Sequence, residues 1–133
     1  MNMAYGDTCY FVAIINSADS LHELACVFGS ELADRIVTTE YVLVETANFF
    51  TKIELRNYFN EFTREFRTTQ TARIIPSSSD LFDRGLAIFE ARSDKEWSLT
   101  DCISFVVMNE LGLTDALTAD HHFEQAGFTA LLT

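Results

Sequence analysis

Trp97-Ser98-Leu99-Thr100-Asp101-Cys102-Ile103-Ser104-Phe105-Val106-Val107-Met108 is the stretch that decides how the chain folds. From Leu99 to Met108 only Thr100, Asp101 and Ser104 interrupt an apolar run, and a helix that is apolar on nearly every side is buried all round. Its first turn nevertheless carries a carboxylate. Ser98 is placed to cap the helix, and an acid near a helix N-terminus is favoured by the free N–H groups and the dipole. Capping alone would account for Asp101. The alternative is that Asp101 faces an acidic pocket and a cation, because a charge held beside a buried helix is costly unless it is partnered. The choice depends on whether other acids converge with it.

Upstream, Arg92 to Glu96 is a polar link, and Ser77-Ser78-Ser79 caps a helix over Asp80 to Ala91 with Leu81, Leu86 and Phe89 facing inward. Ala72 to Pro76 reads as a strand that Pro76 ends. Leu55 to Phe66 is amphipathic, with Leu55, Phe59, Phe62 and Phe66 on one face. Glu40 to Lys52 reads as a helix capped by Thr39, with Glu45 among apolar residues; Leu43, Val44, Ala47 and Phe50 predict a buried setting for it. Arg35 to Thr39 is a β-branched strand, and Leu21 to Ala33 has helical spacing. Cys9 to Ile15 is a short apolar run, helix or strand, which periodicity does not separate. A first strand ends near Asp7.

Downstream, Gly112 stops the helix. Asp115 to Asp120 is a short strand ending in an acid, His121 to Gln125 a helical turn, and Phe128 to Leu132 the last strand. Strands separated by helices imply parallel pairing and an α/β sandwich, whose working site lies beyond the carboxyl ends of the strands. Asp7 and Asp120 fall at such ends, Asp101 begins a helix and Glu45 lies early in another. The four are placed to converge on one edge.

Composition bounds the rest. The 133 residues make a single domain, 1–133, with a real core: 48% are hydrophobic, with twelve Phe, one Pro and five Gly. No apolar run approaches the roughly 20 residues of a membrane span. The N-terminus lacks a basic stretch followed by an apolar one, so a cytoplasmic location is expected. Cys9, Cys26 and Cys102 are odd in number and form no CxxC, which argues against a disulfide framework or zinc site and for small core residues. Net charge is −11, from 20 acids and nine bases, which excludes an ordinary nonspecific nucleic-acid binder. Eight of the bases lie between Lys52 and Lys95. They form either a basic rim or solvated helix faces paired with Glu54, Glu61 and Glu65.

Clustered carboxylates repel and raise one another's pKa. A hard divalent cation resolves this: magnesium prefers oxygen ligands, and manganese tolerates the same set. Such an ion can polarise a phosphodiester and stabilise its leaving oxygen.

Asp7-Thr8 after the first strand, Val42-Leu43-Val44-Glu45-Thr46-Ala47-Asn48, Ser98-Leu99-Thr100-Asp101-Cys102-Ile103-Ser104, and Leu117-Thr118-Ala119-Asp120-His121-His122-Phe123-Glu124-Gln125-Ala126-Gly127-Phe128 together resemble a PIN-domain protein, closest to the VapC-type toxin ribonucleases. The last two segments are the specific ones. The resemblance covers nearly the whole chain and implies a three-layer α/β/α sandwich with a central, mainly parallel sheet. It also implies magnesium- or manganese-dependent cleavage of RNA, a homodimer and pairing with an antitoxin protein. Carried over by position, the catalytic and metal-site acids are Asp7, Glu45, Asp101 and Asp120, with Thr8, Thr118 and Asn48 as polar residues lining the site.

Competing readings are weaker. His121 and His122 are expected to be exposed turn residues, since oxygen ligands suit the ion better. No GxSxG, Walker-type or GxGxxG loop occurs, and neither Cys9 nor Cys102 has an evident base. Phe59, Phe62 and Phe66 read as core or dimer contacts. A phospho-acceptor receiver domain needs a lysine at a late strand end, and no Lys or Arg follows Lys95. The expected function is therefore a metal-dependent endoribonuclease, the toxin of a toxin–antitoxin pair. The alternative is a PIN-like binding module without turnover that serves in a complex.

Overall fold

A computed structural model describes residues 2–69 and 72–133. Five short strands form one sheet: β1 (Ala4–Gly6), β2 (Ile36–Thr39), β3 (Arg73–Ile75), β4 (Asp115–Leu117) and β5 (Thr129–Ala130). Between them run α1 (Thr8–Ile15), α2 (His22–Glu31), α3 (Glu40–Ala47), α4 (Ile53–Thr68), α5 (Ser79–Ala91), α6 (Leu99–Leu111) and α7 (His121–Gln125). The strand order is β3-β2-β1-β4-β5 and every pairing is parallel. Parallel neighbours require crossovers, and right-handed crossovers put α1–α4 on one face of the sheet and α5–α7 on the other. The packing agrees: α1 lies against α2, α3 and α4, and α6 against α5 and α7. This is the expected three-layer sandwich.

The order reverses beside β1. From β1 the chain moves outward through β2 to β3, then returns to place β4 on the other side of β1. The registers Tyr5 opposite Val37 and Tyr5 opposite Ala116 fix that junction. Ala4, Tyr5, Ile36, Val37, Ala116 and Leu117 are buried throughout, as expected of strands covered on both faces.

The opening stretch forms α6, with Asp101 to Met108 buried without a break. It ends at Gly112, whose φ of 66° is the left-handed conformation glycine adopts without strain. On α5 the inward face is Leu81, Gly85 and Ile88, not the expected Leu86 and Phe89; Phe89 is exposed. Gly85 sets this rotation. A β-carbon there would stand 2.3 Å from Ile103 Cγ1, so only glycine lets the two helices approach this closely.

Several expectations shift elsewhere. Cys9 to Ile15 is helical. The helix from Glu40 ends at Ala47 rather than Lys52, because Asn48, Phe49 and Phe50 turn back onto the carbonyls of α3. That turn buries the ring of Phe50 beside Phe59. Val44 is exposed, and Cys26 lies exposed rather than in the core. The last strand contracts to Thr129–Ala130. Phe62 and Phe66 pack edge-on to Phe11, with ring centres 5.8 and 5.3 Å away, which seats the amphipathic α4 on α1.

Candidate active site

The order of the sheet reverses at the junction of β1 and β4, and doubly wound sheets place their ligands beyond the carboxyl edge at such a junction. Asp7 is the first residue past β1. Its extended backbone starts α1, and its carboxylate is buried, with 4% of the residue exposed. Thr118, the first residue past β4, donates its hydroxyl to Asp7 Oδ2 at 2.8 Å. The same hydroxyl accepts the N–H of Asp120 at 3.0 Å. Glu45 reaches in from α3, where Thr39 caps the helix by accepting from Val42 N–H at 3.2 Å. Thr8 donates its hydroxyl to Glu45 Oε1.

Asp101 occupies the third position of α6. Ser98 and Asp101 cap each other: Asp101 N–H donates to Ser98 Oγ at 3.0 Å, and Ser98 N–H to Asp101 Oδ2 at 3.2 Å. Asp120 caps α7 by accepting His122 N–H at 2.9 Å. One turn along α6 from Asp101, Ser104 shares a 2.7 Å hydrogen bond with the buried Tyr5 hydroxyl, which forms the floor beneath the acids.

All four sequence-predicted acids thus lie in one neighbourhood, and their electrostatics couple. Burial pushes the Asp7 carboxyl up to about 7, the charges of Asp101 and Glu45 add to this, and the hydrogen bonds from Thr118 and Thr8 oppose it. Burial also raises Asp101, with Asp120 adding, while Ser98 N–H and His122 pull the other way. Burial holds the Tyr5 hydroxyl well above its ordinary range, so it stays neutral. Among the described residues no Lys or Arg forms an ion pair with any of the four. A set of mutually repelling carboxylates without a Lys or Arg partner among the described residues fits a hard divalent cation.

Two polar residues differ from expectation. His122 is not an exposed turn residue. Its side chain is 19% exposed, and Nδ1 lies 3.3 Å from both Asp101 Oδ2 and Asp120 Oδ1. The signal for this was its place two residues after Asp120, which puts it on the inner side of a single helical turn. His121 is exposed, as expected. Asp120, His121 and His122 also offer a mixed nitrogen–oxygen ligand set, with atoms within 4.8 Å of one another. His122 Nδ1, however, is already directed at two carboxylates. Asn48 is exposed and borders a separate groove with Thr51, Arg56 and Phe59.

The family profile of the PIN domain matches residues 4–129. The chain belongs to the PIN domain family. Two relatives of this PIN domain are the 23S rRNA-specific endonucleases VapC20 of Mycobacterium tuberculosis strains CDC 1551/Oshkosh and ATCC 25618/H37Rv. Each is 25% identical over 126 residues, covering 95% of this chain and 95% of the relative. Among solved structures, the crystal structure of Mycobacterium tuberculosis VapC20, described as a sarcin-ricin loop cleaving toxin, superposes with a TM-score of 0.85. That match has 23% identity and covers 95% of this chain and 96% of the other. The PIN fold of the chain is therefore also that of a solved structure.

Proposed function

We propose that this PIN-domain protein is a metal-dependent endoribonuclease that hydrolyses RNA phosphodiester bonds as the toxin of a toxin–antitoxin pair. Asp7, Glu45, Asp101 and Asp120 hold Mg2+ or Mn2+ directly or through water. The observation that carries this reading is the convergence of four carboxylates from separated segments at the β1–β4 junction, with no Lys or Arg among the described residues paired to them. The VapC20 relatives support it.

When bound, the cation supplies charge to the scissile phosphate and to its leaving oxygen. The chain's residues do the rest. Thr118, Thr8 and Ser98 N–H hold Asp7, Glu45 and Asp101 in fixed orientations. Fixed acids present their charge without reorganisation during the reaction. Any of the four that remains ionised beside the attacking water can orient it and accept its proton.

The partners follow from the same reading: RNA as substrate, an antitoxin, a second copy of the chain, and a cytoplasmic site of action. Val44, Phe49, Ile53 and Tyr58 of the α3–α4 region expose apolar surface that a protein partner would cover. No helix among the described residues is long and apolar enough to cross a membrane.

The test is cleavage of ribosomal and other structured RNAs with Mg2+, Mn2+ or a chelator, comparing wild type with Asp7→Asn and Asp101→Asn. Cleavage only with metal, lost by about a hundredfold or more in both variants, is the expected result. Equal activity in all three proteins rejects the site. A protein that binds RNA without cutting it under any condition identifies a binding module instead.

A further inference from the structure

His122 lies where two of the four acids meet. Its Nδ1 stands 3.3 Å from Asp101 Oδ2 and 3.3 Å from Asp120 Oδ1. Each of those oxygens already accepts a backbone N–H: Asp101 Oδ2 from Ser98, and Asp120 Oδ1 from His122 itself. The second oxygen of each carboxylate accepts no hydrogen bond from the described residues. Both acids are therefore held by one oxygen, and among the described residues the imidazole is the group that reaches both held oxygens.

We propose that His122 is a positioning residue that clamps Asp101 and Asp120 together, so that their free oxygens face the cation side by side. Without the clamp, two carboxylates on different elements, α6 and the start of α7, repel and rotate apart. The ring nitrogen hydrogen-bonds Asp101 and stands within ion-pair distance of Asp120, which offsets that repulsion and restrains both side chains. A carboxylate oxygen only accepts, so the tautomer with the proton on Nδ1 is the one these acids select. Groups that hold a metal's ligands in this way typically govern metal affinity by tenfold to a hundredfold.

The proposal rests on the metal site proposed above, and the experiment separates the two. Mn2+ binding to the intact protein is measured by calorimetry, and independently by the rise in melting temperature with Mn2+. Three variants are compared with wild type. Asparagine places its amide nitrogen where the histidine has Nδ1, glutamine places it farther out, and leucine fills the space with no donor. The expected result is Mn2+ affinity within about threefold of wild type for His122→Asn, and weakened about tenfold or more for His122→Leu and His122→Gln. His122→Leu binding Mn2+ as tightly as wild type overturns the clamp, and so does His122→Asn falling as far as His122→Leu. A wild-type protein that binds no Mn2+ overturns the metal site and the clamp with it.

Discussion

Thr118 Oγ1 joins Asp7 and Asp120: it donates to Asp7 Oδ2 at 2.8 Å, across 111 positions of sequence, and accepts the N–H of Asp120 at 3.0 Å. Thr118 is itself fully buried. Thr118→Val keeps the shape but strips both bonds, leaving a buried carboxylate oxygen and a backbone N–H short of a partner. The expected cost is about 1–3 kcal/mol in denaturant unfolding, with cleavage reduced about tenfold as Asp7 and Asp120 lose their common anchor. Thr118→Ser should restore most of both. A valine variant as active as wild type would sink the anchoring role.

The acids should also leave a mark on the pH dependence of stability. Asp7 titrates near 7 in the fold against about 3.8 when free, with burial as the main cause. Between those values the folded state binds more protons than the unfolded one, so stability falls as pH rises through the window and levels off above it. The ceiling on this contribution is about 4 kcal/mol. Asp101, also raised by burial, acts in the same direction. In chelator the melting temperature should therefore drop from pH 5 to pH 8. Asp7→Asn should flatten the curve and melt higher than wild type at pH 8, and Mn2+ should recover wild type there. A melting temperature that rises across this range contradicts the assignment.

Asp101 combines a cap with a charge, and two substitutions separate them. Asp101→Asn keeps an acceptor for Ser98 N–H, so stability should stay within about 1 kcal/mol of wild type while cleavage is lost. Ser98→Ala removes the other half of the reciprocal cap, at about 1 kcal/mol, and should keep most of the cleavage. The reverse pattern would make Asp101 a structural residue.

The rotation of α5 gives a purely structural check. An alanine at Gly85 would stand 2.3 Å from Ile103 Cγ1 and 3.2 Å from the Ile103 backbone. On propensity alone, alanine gains about 1 kcal/mol in a helix. Overpacking should reverse that sign and destabilise Gly85→Ala by about 1–3 kcal/mol in chemical denaturation. A stabilised variant would show that the helices have room to part.

The layered fold was legible because one or two helical stretches separate each strand from the next and the punctuation is plain: Thr39, Ser78 and Ser98 cap helices where the pattern begins, and Gly112 ends one. That Asp7, Glu45, Asp101 and Asp120 share one neighbourhood was anticipated for Asp7, Asp101 and Asp120 by their places at element ends, and for Glu45 by the wording around it. Phe89 was misread because helical spacing does not fix which side of α5 meets α6; a glycine's close approach decides it, and that depends on Ile103, distant in sequence. Val44 was misread because an apolar stretch on a short helix does not reveal which flank lacks a neighbour. His122 was misread as an exposed turn residue because its partner Asp101 belongs to α6, and only the folded chain brings that helix over the turn that follows β4.

The reversal of strand order beside β1 has a consequence for synthesis on the ribosome. β1 precedes β2, β3 and β4 in the chain, yet one of its two neighbours is β4, made more than a hundred residues later. Until residues 115–120 have emerged, β1 has an open edge, Asp7 lacks Thr118, and the acids cannot be assembled. In a nascent chain the acid cluster is therefore incomplete by topology until β4 is made, and closure of the sheet assembles it in one late step.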